Sequence, residues 1–211
     1  MSKINILLLI TALGMAACSN QDEENCTPNP TTYNYLPTND SSWWAYSVTN
    51  VFSNGDRILV GRDTLRSLGE MEVNGQTYIQ YEGSLWFYST TISTFLSRDS
   101  ANYLVDDNGL IILPYLNYTD TFNHFYSNGD LVRFSKLITD TAPTAVPAGT
   151  FTTIDFRGVQ FRQSNSYCTD SIGYYHHQFA ENVGLVRSTY WFSSTGPCRY
   201  FERVLESYHI E

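Results

Sequence analysis

The chain has few basic residues. Only 12 of its 211 residues are lysine or arginine, against 21 aspartates and glutamates, and the formal net charge is −9. Proteins that bind nucleic acids neutralise phosphates with clustered basic side chains, and polybasic surfaces bind anionic lipid head groups. The sequence contains no such cluster. We therefore expect no nucleic-acid partner and no polybasic surface for lipid head groups.

Motifs for catalysis or cofactor binding are also missing. There is no Gly-x-Ser-x-Gly elbow, no P-loop and no dinucleotide-binding fingerprint. Neither a Cys-x-x-Cys motif nor a zinc-type histidine spacing occurs. We therefore expect a protein that is not an enzyme and that holds no cofactor and no metal. A hydrolase of unrecognised type is the alternative.

One pair of adjacent histidines and one pair of adjacent aspartates could suggest a metal site or a hydrolase. His176 and His177 are adjacent, and because neighbours on a strand point to opposite faces they cannot chelate one ion together. Asp106 and Asp107 precede an Asn-Gly pair and are first of all turn formers. A hydrolase with paired carboxylates would need another acid in a cleft.

The only long apolar run lies at the N-terminus. Lys3 is followed by the apolar segment Ile4 to Leu13, which has the form of a secretory signal and is too short for a permanent membrane span. We predict that residues 1–17 are a signal peptide. Lys3 is the only charged residue among them, so its removal changes the formal net charge from −9 to −10.

The signal ends in a cysteine. Met15-Ala16-Ala17-Cys18 resembles the bacterial lipobox, with Met15 in place of the usual leucine, and the alternative is an ordinary signal peptide with a coincidental cysteine. The resemblance implies that the Cys18 thiol carries diacylglycerol and becomes the mature N-terminus. Each buried methylene of such chains contributes about 0.8 kcal/mol to anchoring.

The residues after Cys18 predict a tether and then one domain. The acidic run Ser19 to Glu24 is either a solvated tether or, by resemblance, the export signal of Bacteroidota surface lipoproteins. Prolines at 28 and 30 discourage regular structure. We predict a lipid-anchored linker over 18–34 and a single β domain over 35–211, in a protein of the bacterial outer membrane that is exposed to the medium if the export signal is real.

The rest of the chain predicts a sheet. It contains 16 tyrosines, 12 phenylalanines and four tryptophans, which favour strands. Asn-Gly pairs at 54, 74, 108 and 128 separate apolar runs, as in hairpins with type I′ turns. The predicted fold class is all-β: a curved antiparallel sheet or half-barrel built from hairpins, with one short helix near Thr91–Leu96. Strands are predicted at Trp43–Phe52, Arg57–Val60, Leu65–Val73, Gln76–Tyr81, Leu85–Tyr88, Tyr103–Val105, Leu110–Leu113 and Leu131–Ile138, and in a meander between Val146 and Phe192.

Landmarks over most of the mature chain resemble small uncharacterised lipoproteins of the Bacteroidota outer membrane. They are Tyr35-Leu36-Pro37, Trp43-Trp44-Ala45-Tyr46, Val60 to Thr64, Val73 to Tyr78, Val146 to Phe151 and Val183 to Val186. Those proteins are similar to LolA/LolB-like half-barrels. The resemblance implies a curved sheet with an apolar concave side, and it implies a fold more than an activity.

Two kinds of residue suggest covalent modification: cysteines that could form a disulfide, and Asp-Ser or Asp-Thr pairs that could be glycosylated. Cys168 and Cys198 both lie beside turn residues, and we predict a disulfide between them, with Cys26 free or competing for either partner. Four Asp-Ser or Asp-Thr pairs resemble the O-glycosylation acceptors of exported Bacteroidota proteins, although such pairs also form turns and strand ends. The acceptor residues would be Thr64, Ser100, Thr141 and Ser171.

The aromatic residues carry the functional hypothesis. Tryptophan and tyrosine offer broad contact area with a polar tip, which suits an apolar or glycan ligand on a concave face. The candidate ligand-binding residues are Trp43, Trp44, Trp86 and Trp191. Two alternatives are that these rings only fill the core, and that the protein is a structural or accessory component of a cell-surface complex.

Overall fold

The computed structural model describes residues 35–84, 93–100, 103–115, 122–127, 130–138, 142–161, 172–192 and 199–211. All of them belong to the compact unit Tyr33–Glu211. These ranges contain fourteen strands and no helix. A helix long and apolar enough to cross a membrane is therefore not found among them.

The fourteen strands follow one another in chain order. They are β1 Trp43–Phe52, β2 Arg57–Val73, β3 Gln76–Glu82, β4 Thr94–Ser100, β5 Tyr103–Asp106, β6 Ile111–Pro114, β7 Phe122–Ser127, β8 Asp130–Ile138, β9 Thr144–Val146, β10 Gly149–Phe151, β11 Ile154–Phe161, β12 Ile172–Ala180, β13 Gly184–Phe192 and β14 Arg199–His209.

Twelve of these strands form one antiparallel sheet. Its order is β6-β5-β4-β3-β2-β1-β14-β13-β12-β11-β8-β7, and β9 and β10 form a separate hairpin. The first and last strands, β1 and β14, are neighbours and join the two halves. The sheet curves into a nearly closed barrel. The predicted fold class, all-β and built from hairpins, is confirmed.

The predicted short helix near Thr91–Leu96 is wrong over its described part. Thr94, Phe95 and Leu96 belong to β4, where they pair with Glu82, Tyr81 and Gln80 of β3. The ring of Phe95 stacks on that of Tyr81 with centroids 5.0 Å apart. Pairing with a neighbouring strand and this ring contact decide the conformation, and the local sequence cannot show either. The predicted strand Leu85–Tyr88 lies outside the described residues.

The Asn-Gly turns are of two kinds. At Asn74-Gly75 both residues have positive φ, 53° and 75°, as a type I′ turn requires. At Gly55 and Gly109 only the glycine does, with φ of 90° and 78°. This is the pattern of a type I turn followed by a left-handed glycine. Three of the four predicted hairpin turns therefore exist, two with a different geometry, and 128–129 lies outside the described residues.

Strand β2 is longer than predicted. The two expected strands are one continuous strand of 17 residues, because β1 pairs with it from Arg57 to Arg66 and β3 pairs with it from Arg66 to Val73. One register shift lies between Val48 and Thr49 of β1. The acid Asp63, expected between two strands, is thereby held inside a strand opposite Tyr46.

The interior is packed with large side chains and with the segment that leads into β1. Tyr35 and Leu36 of this segment are buried, and the Tyr81 hydroxyl donates to the Pro37 carbonyl over 3.2 Å. The lead-in segment thus lies within the barrel core. Completely or almost completely buried side chains around it include Trp44, Tyr46, Leu65, Tyr81, Leu113, Phe156, Phe179, Leu185 and Leu205.

Candidate ligand-binding site

Several predicted site residues lie outside the part of the chain that the structure describes. The following therefore stay predictions: lipidation of Cys18, the disulfide between Cys168 and Cys198 with Cys26 as the third cysteine, a ligand contact by Trp86, and O-glycosylation of Thr141 and Ser171.

The tryptophans of β1 have different environments. Trp44 is completely buried, and its indole N–H donates to the Val183 carbonyl over 2.5 Å. Trp43 points the other way and is 36% exposed. Trp191 lies in β13 opposite Tyr200 of β14. Trp44 therefore belongs to the packed core, and only Trp43 presents a ring to solvent at this point of the sheet.

The two described glycosylation candidates lie in strands. Thr64 is exposed in the middle of β2, opposite Ala45. Ser100 is half-buried at the end of β4, opposite Tyr103. Asp63-Thr64 therefore does not form a turn. O-glycosylation at both positions stays a prediction.

The two acidic residues near Asn108 form a turn. The Asp106 carboxylate oxygen Oδ1 accepts hydrogen bonds from the backbone N–H groups of Asn108 and Leu110, at 2.9 and 2.7 Å. These bonds fix the β5–β6 connection. Among the described residues, no group of three or more histidines, cysteines or acids could hold a metal ion.

A buried ion pair crosses the inner face of the sheet. Arg203 of β14 is completely buried, and its Nε donates to Oδ1 of Asp63 over 3.0 Å. The Arg203 guanidinium also packs on the ring of Tyr46, with its carbon atom 3.7 Å from the ring centroid. Burial raises the pKa of the Asp63 carboxyl, and the charge of Arg203 opposes this. The other carboxylate oxygen, Oδ2, is buried without a hydrogen-bond partner in the described structure.

His177 also lies on the inner face of the sheet. It is buried, and its Nδ1 lies 2.8 Å from the Ser188 hydroxyl oxygen. Burial lowers its pKa to about 3, with smaller contributions from the charges of His176 and Arg203. His176 lies on the opposite face beside Asp155. The prediction that the two histidines point to opposite faces is therefore confirmed, and the imidazole of His177 is neutral at pH 7.

A pocket of about 350 Å³ opens beside the lead-in segment. Its walls come from Tyr35, from the connection between β10 and β11, and from the turn between β12 and β13. The lining residues are Tyr35, Thr150, Phe151, Thr152, Thr153, Ile154, Ala180, Glu181 and Val183. We call it the rim pocket. It lies near the lower end of the range of small-molecule sites, roughly 300 to 1,000 Å³.

The chemistry of the rim pocket is mixed. Tyr35 and Phe151 provide rings, and Phe151 also makes an edge contact with Tyr208 at a centroid distance of 6.1 Å. Thr150 and Thr152 are exposed at its wall, and among the described lining residues Glu181 alone is charged. Val183, whose carbonyl accepts the Trp44 N–H, joins the pocket to the core.

The sequence indicated part of this pocket without locating it. The landmark segments Val146 to Phe151 and Val183 to Val186 both contribute to it. Between β12 and β13 the chain turns with φ of 58° at Asn182 and 100° at Gly184. The pocket residues themselves were missed. No sequence signal brings Tyr35 to the same pocket as Glu181, because their proximity depends on the pairing of β1 with β14 and of β14 with β13.

Comparisons with known proteins give distant structural similarities. No protein-family model and no curated protein sequence matches the chain. A solved candidate exported protein with a YmcC-like fold from Bacteroides fragilis is 12% identical, covering 82% of this chain and 98% of that one, with a TM-score of 0.47. A candidate lipoprotein from Parabacteroides distasonis is 14% identical, covering 83% and 98%, with a TM-score of 0.43. Neither similarity is close enough to carry an argument.

Proposed function

We propose that this is an exported, lipid-anchored, non-enzymatic protein of the outer membrane that binds a small glycan unit in the rim pocket. The anchor is the acylated Cys18, and residues 18–34 are its tether. The observation that carries the ligand proposal is the rim pocket itself, about 350 Å³ with aromatic and hydroxyl-bearing walls.

The packed interior favours a glycan over an acyl chain. A carrier of lipid needs a long apolar cavity, as implied by the resemblance to LolA/LolB-like half-barrels. Here the described inner face is filled by the protein's own side chains, with Trp44, Tyr46 and Phe179 completely buried. The lead-in residue Leu36 adds to this core. A ligand is therefore expected at the end of the barrel and not within it.

The lining of the rim pocket also suits a sugar ring. Aromatic rings pack against the apolar face of a sugar ring. Hydroxyl groups of threonine both donate and accept hydrogen bonds, and a carboxylate accepts them. Tyr35 and Phe151 offer the first kind of contact, and Thr152 and Glu181 the second. Because Glu181 is the only charge, the proposed unit is neutral or cationic.

The test is a titration of the full-length protein in non-ionic detergent with a panel of neutral sugars, amino sugars and fatty acids. Calorimetry measures affinity. Tryptophan fluorescence gives a second signal, because Trp44 bonds to the pocket residue Val183. We expect saturable binding of at least one sugar and none of the fatty acids. Saturable binding of a fatty acid alone would replace this proposal with a lipid carrier.

Two variants locate the binding. Phe151→Ala removes a ring from the wall and should weaken sugar binding roughly tenfold, and Glu181→Gln should weaken it less. The matched control is Leu110→Ala, at an exposed apolar residue in the β5–β6 turn. Equal affinities for wild type and Phe151→Ala would exclude the rim pocket as the site.

A second candidate function, an accessory subunit of a surface complex, is favoured by a separate observation. Ile58 and Leu59 of β2 are more than half exposed, and Val60 beside them is also exposed. Exposed apolar patches often mark protein interfaces. Cross-linking in native envelopes should give a defined partner that Leu59→Ser abolishes and Leu110→Ser does not. Equal cross-linking of both variants would remove this candidate.

A further inference from the structure

The outer face of strands β11, β12 and β13 carries a compact group of cationic and hydrogen-bonding side chains. Arg157 of β11 lies opposite His176 of β12, and Gln178 of β12 lies opposite Arg187 of β13. Directly paired residues share a face, with Cβ atoms about 5 Å apart. These four residues therefore form one patch, which we call the outer cationic patch.

The negative charges of this region lie beneath the positive ones. Asp155 is only 3% exposed, and it contacts Arg157 at 3.2 Å and Nδ1 of His176 at 2.8 Å. Glu202 is 4% exposed and is paired with both Arg187 and Arg57. The side chains of Arg157 and Arg187 are 39% and 38% exposed. An approaching ligand therefore meets guanidinium groups first, although the chain as a whole has a formal net charge of −9.

Hydrogen-bonding capacity in the patch is not used up. The Nε atoms of Arg157 and Arg187 are buried and make no hydrogen bond within the described structure, and the same holds for Oδ1 of Asp155. Both carboxylate contacts of Asp155 go to its other oxygen, Oδ2. Among the described residues, each arginine gives one Nη2 contact to its carboxylate, so the Nη1 donors of each guanidinium are left for a ligand.

An exposed aromatic ring lies next to the patch. Tyr174 is 53% exposed and lies two residues before His176, on the same face of β12 because side chains alternate along a strand. Its neighbour across the sheet is Val159 of β11. From Tyr174 to Gln178 the patch extends about 13 Å along the strand.

We propose that the outer cationic patch and Tyr174 bind an anionic saccharide. Guanidinium groups match carboxylate and sulfate oxygens in geometry and stay charged at every physiological pH. The Tyr174 ring provides a face on which a sugar ring can pack. This site is on the opposite face of the sheet from the packed interior. The proposal does not depend on the rim pocket, where the one charged side chain in the described lining is an acid, Glu181.

The experiment is calorimetry on the full-length protein in non-ionic detergent with an oligomer of galacturonic acid. We expect saturable binding that weakens as salt is raised, because screening acts on exposed charges. A neutral galactose oligomer of the same length should bind at least about tenfold more weakly, since the charge-assisted hydrogen bonds are then missing. Equal binding of the two oligomers would overturn the proposal.

Variants separate the charge from the ring. The double variant R157Q/R187Q should reduce affinity for the galacturonate oligomer about tenfold or more. Tyr174→Ala, at an exposed position that the fold does not need, should reduce it about threefold and leave the weaker affinity for inorganic sulfate unchanged. The matched control is Arg62→Gln, because Arg62 pairs with Glu206 on another part of the outer face. Control and wild type should bind alike.

Two further results would also overturn the assignment. One is wild-type affinity in both R157Q/R187Q and Tyr174→Ala. The other is binding of inorganic sulfate, or binding to phosphatidylglycerol vesicles that R157Q/R187Q weakens, with no binding of the galacturonate oligomer. Either result would make the patch a lipid or simple-anion site. If R157Q/R187Q loses the folded circular-dichroism spectrum, the assignment is tested by two other measurements. These are the affinity of Tyr174→Ala for the galacturonate oligomer and the salt dependence of wild-type binding.

Discussion

The two faces of the same strands use arginine in opposite ways. On the inner face Arg203 is completely buried, bonded to Asp63 at 3.0 Å and packed on the ring of Tyr46. On the outer face Arg187 is 38% exposed and pairs with Glu202. Removing Arg203 leaves the Asp63 carboxylate without its counterion in a buried site. Removing Arg187 leaves Glu202 with a second cationic partner, Arg57. The inner arginine is therefore structural, and the outer one is available for a ligand.

The largest expected effect is that of Arg203→Ala. It removes the counterion of Asp63 and the cation on Tyr46, and should lower the free energy of unfolding by about 3 to 5 kcal/mol. Urea denaturation of the full-length protein measures this. The double variant Arg203→Met with Asp63→Leu should recover part of the loss, because it buries no charge. A double variant less stable than Arg203→Ala would contradict the role of the pair.

The second effect is acid sensitivity caused by the inner histidine. Burial lowers the pKa of His177 in the folded protein to about 3. In the unfolded chain the same imidazole binds a proton near pH 6.5, at which the folded protein does not bind it. Stability should therefore fall as pH decreases from about 6.5 towards 3, by about 3 kcal/mol at pH 4.

The control for this effect is the adjacent residue. Denaturation midpoints at pH 7 and pH 4 should differ less in His177→Gln than in wild type, since the amide has no proton to gain. His176→Gln, on the outer face, should keep most of the wild-type dependence, because burial makes the largest contribution to the lowered pKa of His177. The same pH dependence in His177→Gln as in wild type would assign the acid sensitivity to other groups.

A third, smaller difference is expected between the adjacent tryptophans. Trp44→Phe loses the hydrogen bond to the Val183 carbonyl and leaves a gap in the core, and should cost about 1 to 3 kcal/mol. Trp43→Phe, at the half-exposed position, should stay within about 0.5 kcal/mol of wild type. Thermal unfolding measures both. Iodide quenching should in turn be lower in Trp43→Phe than in Trp44→Phe.

The smallest effect is expected for Arg187→Gln. Its ion pair is partly solvated, so the free energy of unfolding should change by less than about 1 kcal/mol, and raising the salt concentration should reduce the difference from wild type. Urea denaturation at low and high salt tests this. A loss comparable to that of Arg203→Ala would mean that the two faces do not differ as described.

Alternation along the chain allowed much of the fold to be predicted. Strand β1 was predicted with its observed bounds, Trp43–Phe52, because apolar and polar residues alternate there. The turn at Asn74-Gly75 was predicted because few other residue pairs tolerate positive φ at both positions. The opposite directions of His176 and His177 follow from the same period of two.

The helix expected near Thr91–Leu96 shows where local pattern fails. A short apolar run has no preference strong enough to resist pairing with a neighbouring strand, and Phe95 stacks on Tyr81 of β3. Arg203 is a second example. Nothing near it in the sequence explains a buried arginine, because its counterion Asp63 lies 140 residues away.

The sequence by itself determined the all-β class, the hairpin turns and the face on which most described side chains lie, since these depend on residues within a few positions of one another. Tertiary structure decided which faces meet. Joining β1 to β14 brings Asp63 to Arg203. The further pairing of β14 with β13 brings the lead-in segment and the β12–β13 turn to the same rim pocket. The pairing of β11, β12 and β13 gathers the outer cationic patch from a chain with only 12 basic residues. Such sites depend on distances between remote strands, which local composition does not specify.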